Sequence, residues 1–180
     1  MICKTLRECF CVDICLYEKN VTLGKVFCLS LRESRVLAVV LLRVSQFLAQ
    51  KRILWRLAPY IKFLNEILTG LECHLSAVIG EGFFVAHTHG IVIGEGVILG
   101  KRVVIYNGVT LGASARGTHE KGRRYPIIED EVTVYTGAKL IGPIVVGKGA
   151  VIGANAVVLK DVPPESVAVG VPARIFPRDA

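Results

Sequence analysis

Two histidines, His87 and His89, stand close together in the stretch "VAHTHGIVIGEG" (85–96), which otherwise consists mostly of aliphatic residues and glycine. Histidine is the side chain that most readily exchanges a proton near neutral pH, and its neutral ring is a common metal ligand. The two rings could therefore serve as a general base or help to bind a metal, or they could simply occupy a bend of the backbone. The choice depends on the elements that position them.

A column of aliphatic residues with a six-residue spacing surrounds this stretch. The spacing is interrupted by an eight-residue step at the histidines and by a longer break after Leu111. The column consists of Ile79, Val85, Ile93, Leu99, Ile105, Leu111, Ile128, Val134, Leu140, Val146, Ile152 and Val158. Glycine often follows a column residue directly, and small or aliphatic residues recur four positions after it. Such a period is typical of a β-helix, whose successive coils pair their strands in parallel around an aliphatic interior.

Two other folds fit this pattern less well. An amphipathic helix repeats its apolar residues every three or four positions and would not place glycine at every sixth residue. A β-sandwich spaces its turns by about 8–12 residues. In a β-helix, the eight-residue step becomes a two-residue insertion at one corner, and the segment "ASARGTHEKGRRYPI" (113–127) becomes a basic loop. Loops that leave a rigid scaffold commonly carry function.

The first 70 residues follow a different period. Within 32–70, apolar residues are separated by three and four positions, which predicts helices. Pro59 is expected to divide two helices, and Gly70 is expected to end the second. We therefore predict a helical N-terminal region over 1–70, followed by a β-helix domain over 71–180. As an alternative to packing alone, these helices could present a basic amphipathic face to a membrane surface.

Composition narrows the class of protein further. The chain has 180 residues and a net charge of +7, without a zinc-finger pattern or a long basic run, so a phosphorylated cofactor explains the charge better than a nucleic acid. Its longest apolar run, "VLAVVLL" (36–42), is too short to span a membrane. Five of the six cysteines fall within the first 28 residues, where no signal-peptide pattern is visible. We expect reduced thiols, no metal site and a cytoplasmic protein.

Several long segments resemble the hexapeptide-repeat acyltransferases: "HLSAVIGEGFFVAHTHGIVIGEG", "VTLGAS", "GRRYPIIEDEVTVYTGAKLIGPIVVGKGAVIGANAVVL" and "DVPPESVAVGVPARI". The resemblance is greatest to the serine acetyltransferases and to their relatives that acetylate bacterial surface polysaccharides. It implies a left-handed parallel β-helix that assembles as a homotrimer or as a dimer of trimers. It also implies acetyl transfer from acetyl-CoA to an acceptor hydroxyl, without a metal.

The resemblance assigns roles to particular residues. His87, in the corner insertion, matches the histidine that acts as general base, and Glu72 matches the acidic residue that orients this base. His74, His89 and Arg124 are expected to lie near the acceptor. Small residues are expected to contact the pantetheine arm of CoA, and two cations its phosphates: Gly112, Ala113, Gly137, Ala138, Gly153, Ala154, Lys160 and Arg174.

Three departures from the serine acetyltransferases concern the acceptor. Ala86 stands where they have an aspartate that helps to hold the amino acid, Tyr125 stands where they have a histidine, and Glu72 replaces a shorter aspartate. Losing a carboxylate that faces an ammonium group should weaken binding, because charge-assisted hydrogen bonds are the stronger ones. We therefore predict a sugar of a bacterial surface polysaccharide as acceptor. The alternative is free serine, which would make the protein a serine O-acetyltransferase of cysteine biosynthesis.

Two further functions are less favoured. The γ-class carbonic anhydrases also use this kind of solenoid and bind zinc through three histidines between subunits, for which His74, His87 and His89 would be the candidates. A catalytically inactive scaffold that only assembles into trimers is the other possibility. The basic loop (113–127) and the "GVPARI" ending resemble those of the acetyltransferases. These two features therefore favour an enzyme that transfers an acetyl group.

Overall fold

The computed structural model describes Asp13, residues 23–114 and residues 124–178. Its helices are α1 (Leu23–Arg32), α2 (Ser34–Ala49), a 3₁₀ turn (Trp55–Leu57) and α3 (Ala58–Thr69). Pro59 lies in the first turn of α3, where its missing N–H is not needed. Gly70 ends α3 with a φ of 71° and donates its N–H to the carbonyl of Glu66. The predicted helices are thus confirmed for residues 23–69, and no described helix has the length and hydrophobicity that crossing a bilayer requires.

Short strands make up most of the chain after these helices. Their bounds are β1 (Leu71–Cys73), β2 (Val78–Ile79), β3 (Phe84–Val85), β4 (Ile91–Ile93), β5 (Ile98–Leu99), β6 (Val104–Ile105), β7 (Thr110–Gly112), β8 (Ile127–Ile128), β9 (Thr133–Val134), β10 (Lys139–Ile141), β11 (Val145–Val146), β12 (Val151–Ile152), β13 (Val157–Val158), β14 (Ser166–Val169) and β15 (Arg174–Pro177). Such short strands gain their stability from pairing with neighbouring coils rather than from their own length.

Three sheets form the walls of the domain. The first has the order β1-β4-β7-β10-β13, the second β2-β5-β8-β11, and the third β3-β6-β9-β12-β14, with β15 added antiparallel at its end. From β1 to β10, each strand pairs in parallel with the strand three places further along the chain, and β1 to β12 form four coils. The predicted parallel β-helix is confirmed. That the β-helix is left-handed stays a prediction based on the resemblance.

The aliphatic column fills the interior of these coils. Each of its twelve residues is at most 6% exposed. Burying one such side chain is worth about 1.5–3 kcal/mol relative to leaving it in water, so the column is a major source of stability. Glycine next to the column lets coils approach closely, since a Cβ at Gly80 would overlap the carbonyl oxygen of Gly100.

A buried ion pair fastens the helices to the first coil. Arg43 of α2 is 5% exposed and donates to the carbonyl oxygens of Ile79 and Gly80, at 2.7 and 2.6 Å. Its Nε also lies 2.7 Å from Oδ2 of Asp13, which is fully buried. The Asp13 carboxylate in turn accepts the backbone N–H groups of residues 82 and 83. Together, Arg43 and Asp13 hold α2 against the first turn of the β-helix.

Candidate active site

The candidate residues lie at two different corners of the β-helix. The histidine corner links the third sheet to the first, and it comprises residues 86–90, 106–109, 135–138 and 153–156. The arginine corner links the first sheet to the second, and it comprises residues 74–77, 94–97, 113–114, 124–126, 142–144 and 159–161. Because each coil has one strand in each wall, the first sheet lies between these two corners.

His87 lies in the two-residue insertion of the histidine corner. Its side chain is exposed, and the centroid of its ring lies 6.4 Å from that of the Tyr106 ring. Thr88 is 2% exposed, and its Oγ1 lies 3.5 Å from Nδ1 of His89. A cavity of about 340 Å³ opens beside the insertion, lined by Glu33, Ser34, Arg35, Ala86, His87, Thr88 and His89. The insertion therefore presents two imidazole rings to a space that a small acceptor can enter.

Ala86, Tyr106 and Tyr135 occupy the same place in successive coils, because β3, β6 and β9 are paired in register. The rings of Tyr106 and Tyr135 are stacked, with 5.0 Å between their centroids. This aromatic pair extends from the His87 ring along the corner. Sequence reasoning did not single it out, although each tyrosine directly follows a column residue, at a position where glycine is frequent.

Glu72 lies on the outward face of β1, in register with Val92 of β4. Strand β1 borders the histidine corner, since the carbonyl oxygen of Gly70 accepts the N–H of Gly90 at 3.0 Å. The Glu72 side chain is exposed, and within the described residues it forms no hydrogen bond to the His87 ring. Its role in orienting His87 stays a prediction.

His74 and Arg124 both lie at the arginine corner, His74 in the first coil and Arg124 in the third. Nδ1 of His74 lies 2.7 Å from Oγ of Ser76, which donates its own proton to a backbone carbonyl of the next coil. Arg124 is exposed, and the neighbouring Tyr125 ring packs over glycines of the preceding coil. One chain therefore does not bring His74 or Arg124 to His87. Residues 115–123 of the predicted basic loop lie outside the described residues.

Most of the residues predicted to contact CoA lie at the same two corners. The histidine corner carries Gly137, Ala138, Gly153 and Ala154, the arginine corner lies beside Gly112 and contains Ala113 and Lys160, and Arg174 begins β15. Ala138 is fully buried and Gly137 has a φ of 73°, so both have structural reasons to be small. Ala154 is exposed, and Lys160 lines a cavity of about 290 Å³.

A metal site would need several ligating side chains close together. Within the described residues, no group of three His, Cys, Asp or Glu side chains is arranged to hold a metal ion. The histidines of the zinc alternative are divided between two corners of one chain, with His74 at one and both His87 and His89 at the other. The cysteines that precede residue 23 lie outside the described part of the chain.

Cys73 is next to Glu72 in sequence, but its thiol lies in the core. The residue is 4% exposed, and burial raises the pKa of its thiol to about 12. Because the thiolate is the reactive form, we expect iodoacetamide to alkylate the exposed Cys28 but not Cys73 in the folded protein. Peptide mass spectrometry measures both, and unfolded protein serves as the control in which both react. Rapid labelling of Cys73 in the folded protein would show an accessible, reactive thiol instead.

Known proteins resemble this chain over most of its length. The profile of the family "Bacterial transferase hexapeptide (six repeats)" matches residues 125–160. The serine acetyltransferase of Helicobacter pylori (strain J99) is 44% identical over 129 residues, which cover 72% of this chain and 74% of that protein. The serine acetyltransferase of Bacillus pumilus is 49% identical over 125 residues, which cover 69% of this chain and 56% of that protein.

A solved structure shows the same architecture. The serine acetyltransferase of Neisseria gonorrhoeae in complex with serine matches with a TM-score of 0.80 and 32% identity, over 95% of this chain and 69% of that chain. The fold and the sequence similarity thus place the chain among the hexapeptide-repeat acyltransferases. Within this superfamily, the chain belongs to the serine acetyltransferase-like branch. It spans just over half the length of the Bacillus relative.

Proposed function

We propose that this chain is an acetyl-CoA-dependent O-acetyltransferase in which His87 is the general base. The observation that carries the proposal is the exposed His87 ring in a corner insertion beside a cavity. As the acceptor hydroxyl oxygen attacks the thioester carbonyl carbon, His87 takes the hydroxyl proton. The C–S bond of the tetrahedral intermediate then breaks, and the CoA sulfur leaves with the proton that His87 returns.

The acceptor is proposed to occupy the cavity beside His87. Glu33 and Arg35 line this cavity, and Nε of Arg35 lies 3.1 Å from Oε2 of Glu33. His89 lines the same space and can hydrogen-bond a second polar group of the acceptor. Glu72, on the neighbouring strand β1, is the carboxylate proposed to orient the His87 ring when substrate is bound.

A homotrimer is the assembly that we propose. The support is that the candidate residues are divided, with His87 and His89 at one corner and His74 and Arg124 at another. If the histidine corner of one copy faces the arginine corner of the next, both sets meet in a groove between copies. A ring of three copies closes this heterologous contact, as a head-to-tail interface requires.

Acetyl-CoA is the proposed co-substrate, and the residues along the grooves fit its shape and charge. Ala113 and Ala154 carry short side chains that leave room for the pantetheine arm, and a fully exposed lysine or arginine suits a phosphate. Lys160 is exposed beside a cavity of about 290 Å³, and Arg174 is exposed at the start of β15. These residues would hold the cofactor, which supplies the activated acetyl group.

Free serine is the acceptor that the comparisons support better. Similar proteins are named serine acetyltransferases, and one solved relative contains serine. A sugar hydroxyl is the second candidate, because Ala86 offers no carboxylate to an ammonium group. The stacked Tyr106 and Tyr135 rings in the next two coils instead offer apolar faces, which suit the C–H face of a sugar ring.

The substitution Ala86→Asp is expected to lower the KM for L-serine roughly ten-fold or more, because a hydrogen bond between charged groups contributes about 1.5–3 kcal/mol. The assay follows CoA release from acetyl-CoA with L-serine and, separately, with glucose, galactose or N-acetylglucosamine. Ala86→Ser is the matched control, which adds a polar group without charge. Turnover with sugars alone would make the second candidate the acceptor, and no release with any acceptor would contradict the proposed activity.

The reaction is proposed to take place in the cytoplasm. Cys28 and Cys73 are free thiols in the described part of the chain, which is the usual state of cysteines in that compartment.

A further inference from the structure

The turn between α2 and α3 is an unusual surface. We call residues 51–57, "KRILWRL", the basic turn. All seven side chains are exposed, Ile53 to 86% and Trp55 to 53%. Soluble proteins rarely leave large apolar side chains clustered on the surface, and such a cluster commonly marks a contact site. The basic turn is the tip of the hairpin that α2 and α3 form, and its 3₁₀ segment contacts both helices.

Charge of a single sign surrounds these apolar side chains. Residues 34–65 contain six lysines and arginines but no aspartate or glutamate. Lys51, Arg52 and Arg56 belong to the basic turn, and none of them forms an ion pair with a described residue. The guanidinium carbon of Arg56 lies 5.6 Å from the centroid of the Trp55 ring. Aromatic, aliphatic and cationic groups therefore share one small surface.

This combination fits an anionic lipid surface better than a second copy of the chain. Two copies that met through the basic turn would bring six like charges together, and protein interfaces are depleted of lysine at their centres. Segments that lie in a membrane interface instead combine lysine and arginine with tryptophan and leucine. Their apolar side chains enter the headgroup boundary, while the cations reach the lipid phosphates.

We propose that the basic turn docks on an anionic lipid bilayer, with Ile53, Leu54 and Trp55 inserted at the headgroup boundary. This interaction is separate from acetyl transfer and does not depend on it. Because the turn is at the tip of the hairpin, docking leaves the β-helix and the histidine corner in solution. The protein would thereby gather at a membrane surface without crossing it.

Trp55 makes a direct test possible, because it is the only tryptophan of the chain. The full-length protein is mixed with vesicles of phosphatidylglycerol and phosphatidylcholine, or of phosphatidylcholine alone, while tryptophan emission is recorded. We expect a blue shift of the emission with the anionic vesicles, since the indole leaves water. The shift should shrink as salt is raised, because screening weakens the attraction of the cations to the surface. Vesicle sedimentation measures the binding independently.

The second part of the test measures vesicle binding after two positive charges are removed from the basic turn. Lys51→Gln with Arg52→Gln is expected to weaken partitioning roughly five-fold for each cation, or roughly twenty-five-fold for the pair. The matched control is Lys101→Gln with Lys148→Gln, which removes the same charge from exposed positions of the β-helix and should bind as the wild type does. Equal weakening by both pairs would mean that net charge, and not the basic turn, attracts the vesicles, which would overturn the proposal.

Two other outcomes would also overturn it. No blue shift and no sedimentation with anionic vesicles would mean that the basic turn does not bind lipid. A blue shift without vesicles that grows with protein concentration would instead assign the surface to a second copy of the chain. A serine substitution at Ile53 keeps all charges but removes one inserted side chain, so it should reduce the shift if insertion takes place.

Discussion

Asparagine in place of His87 is expected to lower kcat for acetyl transfer by about 10²–10⁴-fold, the usual contribution of a positioned general base. Asparagine is similar in size and polarity but cannot accept the hydroxyl proton, so the acceptor must attack as a weak, neutral nucleophile. The rate is measured as CoA release at saturating substrates. The KM for acetyl-CoA should change little, because His87 is proposed to act on the acceptor hydroxyl and is not among the residues proposed to bind CoA.

The fold should tolerate this substitution. His87 is exposed, and its described ring contact is a tilted approach to Tyr106. The thermal midpoint of His87→Asn should therefore match that of the wild type. In a second variant, His87→Ala, added imidazole should restore part of the rate, because it can enter the vacated space and accept the proton. A His87→Asn protein with nearly normal turnover would assign the base to another residue.

The interior of the β-helix was predictable from the sequence because it depends on a local repeat. All twelve residues of the aliphatic column, from Ile79 to Val158, are buried. A two-residue strand places one column residue in the interior, as Val85 does in β3, and the next column residue lies beyond the following corner. The six-residue spacing of the column therefore equals the length of one strand plus one corner. The single eight-residue step located the insertion that holds His87.

The sequence was a poorer guide to which candidate residues share a corner. His74, His87 and Arg124 look equivalent in a linear repeat, yet the structure divides them between two corners. Which corner a residue occupies depends on counting strands in threes, and the long break at 113–127 hides that count. The distance between the corners depends on how each coil closes in three dimensions, and the six-residue period does not specify that closure.

The contact between the helices and the β-helix could not be predicted at all. Asp13 and Arg43 are far apart in sequence, and neither belongs to a motif. Their pairing depends on how α2 crosses the first coil, which tertiary packing decides. The same packing brings Glu33 and Arg35 to the cavity beside His87, so one side of the candidate site was also invisible in the sequence.

Methionine in place of Arg43 is expected to lower the free energy of unfolding by about 3–5 kcal/mol, the usual cost of leaving one partner of a buried ion pair alone. The Asp13 carboxylate would remain buried without its cation. The carbonyl oxygens of Ile79 and Gly80 would lose their donors as well. Urea unfolding followed by circular dichroism measures the change as a lower midpoint.

Combining Arg43→Met with Asp13→Asn separates the charge from the packing. Asparagine at position 13 carries no charge but can still accept the N–H groups of residues 82 and 83. The double variant should therefore be more stable than Arg43→Met alone, because no unpaired charge is left in the interior. The matched surface control is Arg35→Met, whose ion pair with Glu33 is 40% and 45% exposed and should contribute only about 0–1 kcal/mol. If Arg35→Met and Arg43→Met lost equal stability, the buried pair would not be what fastens the helices to the β-helix.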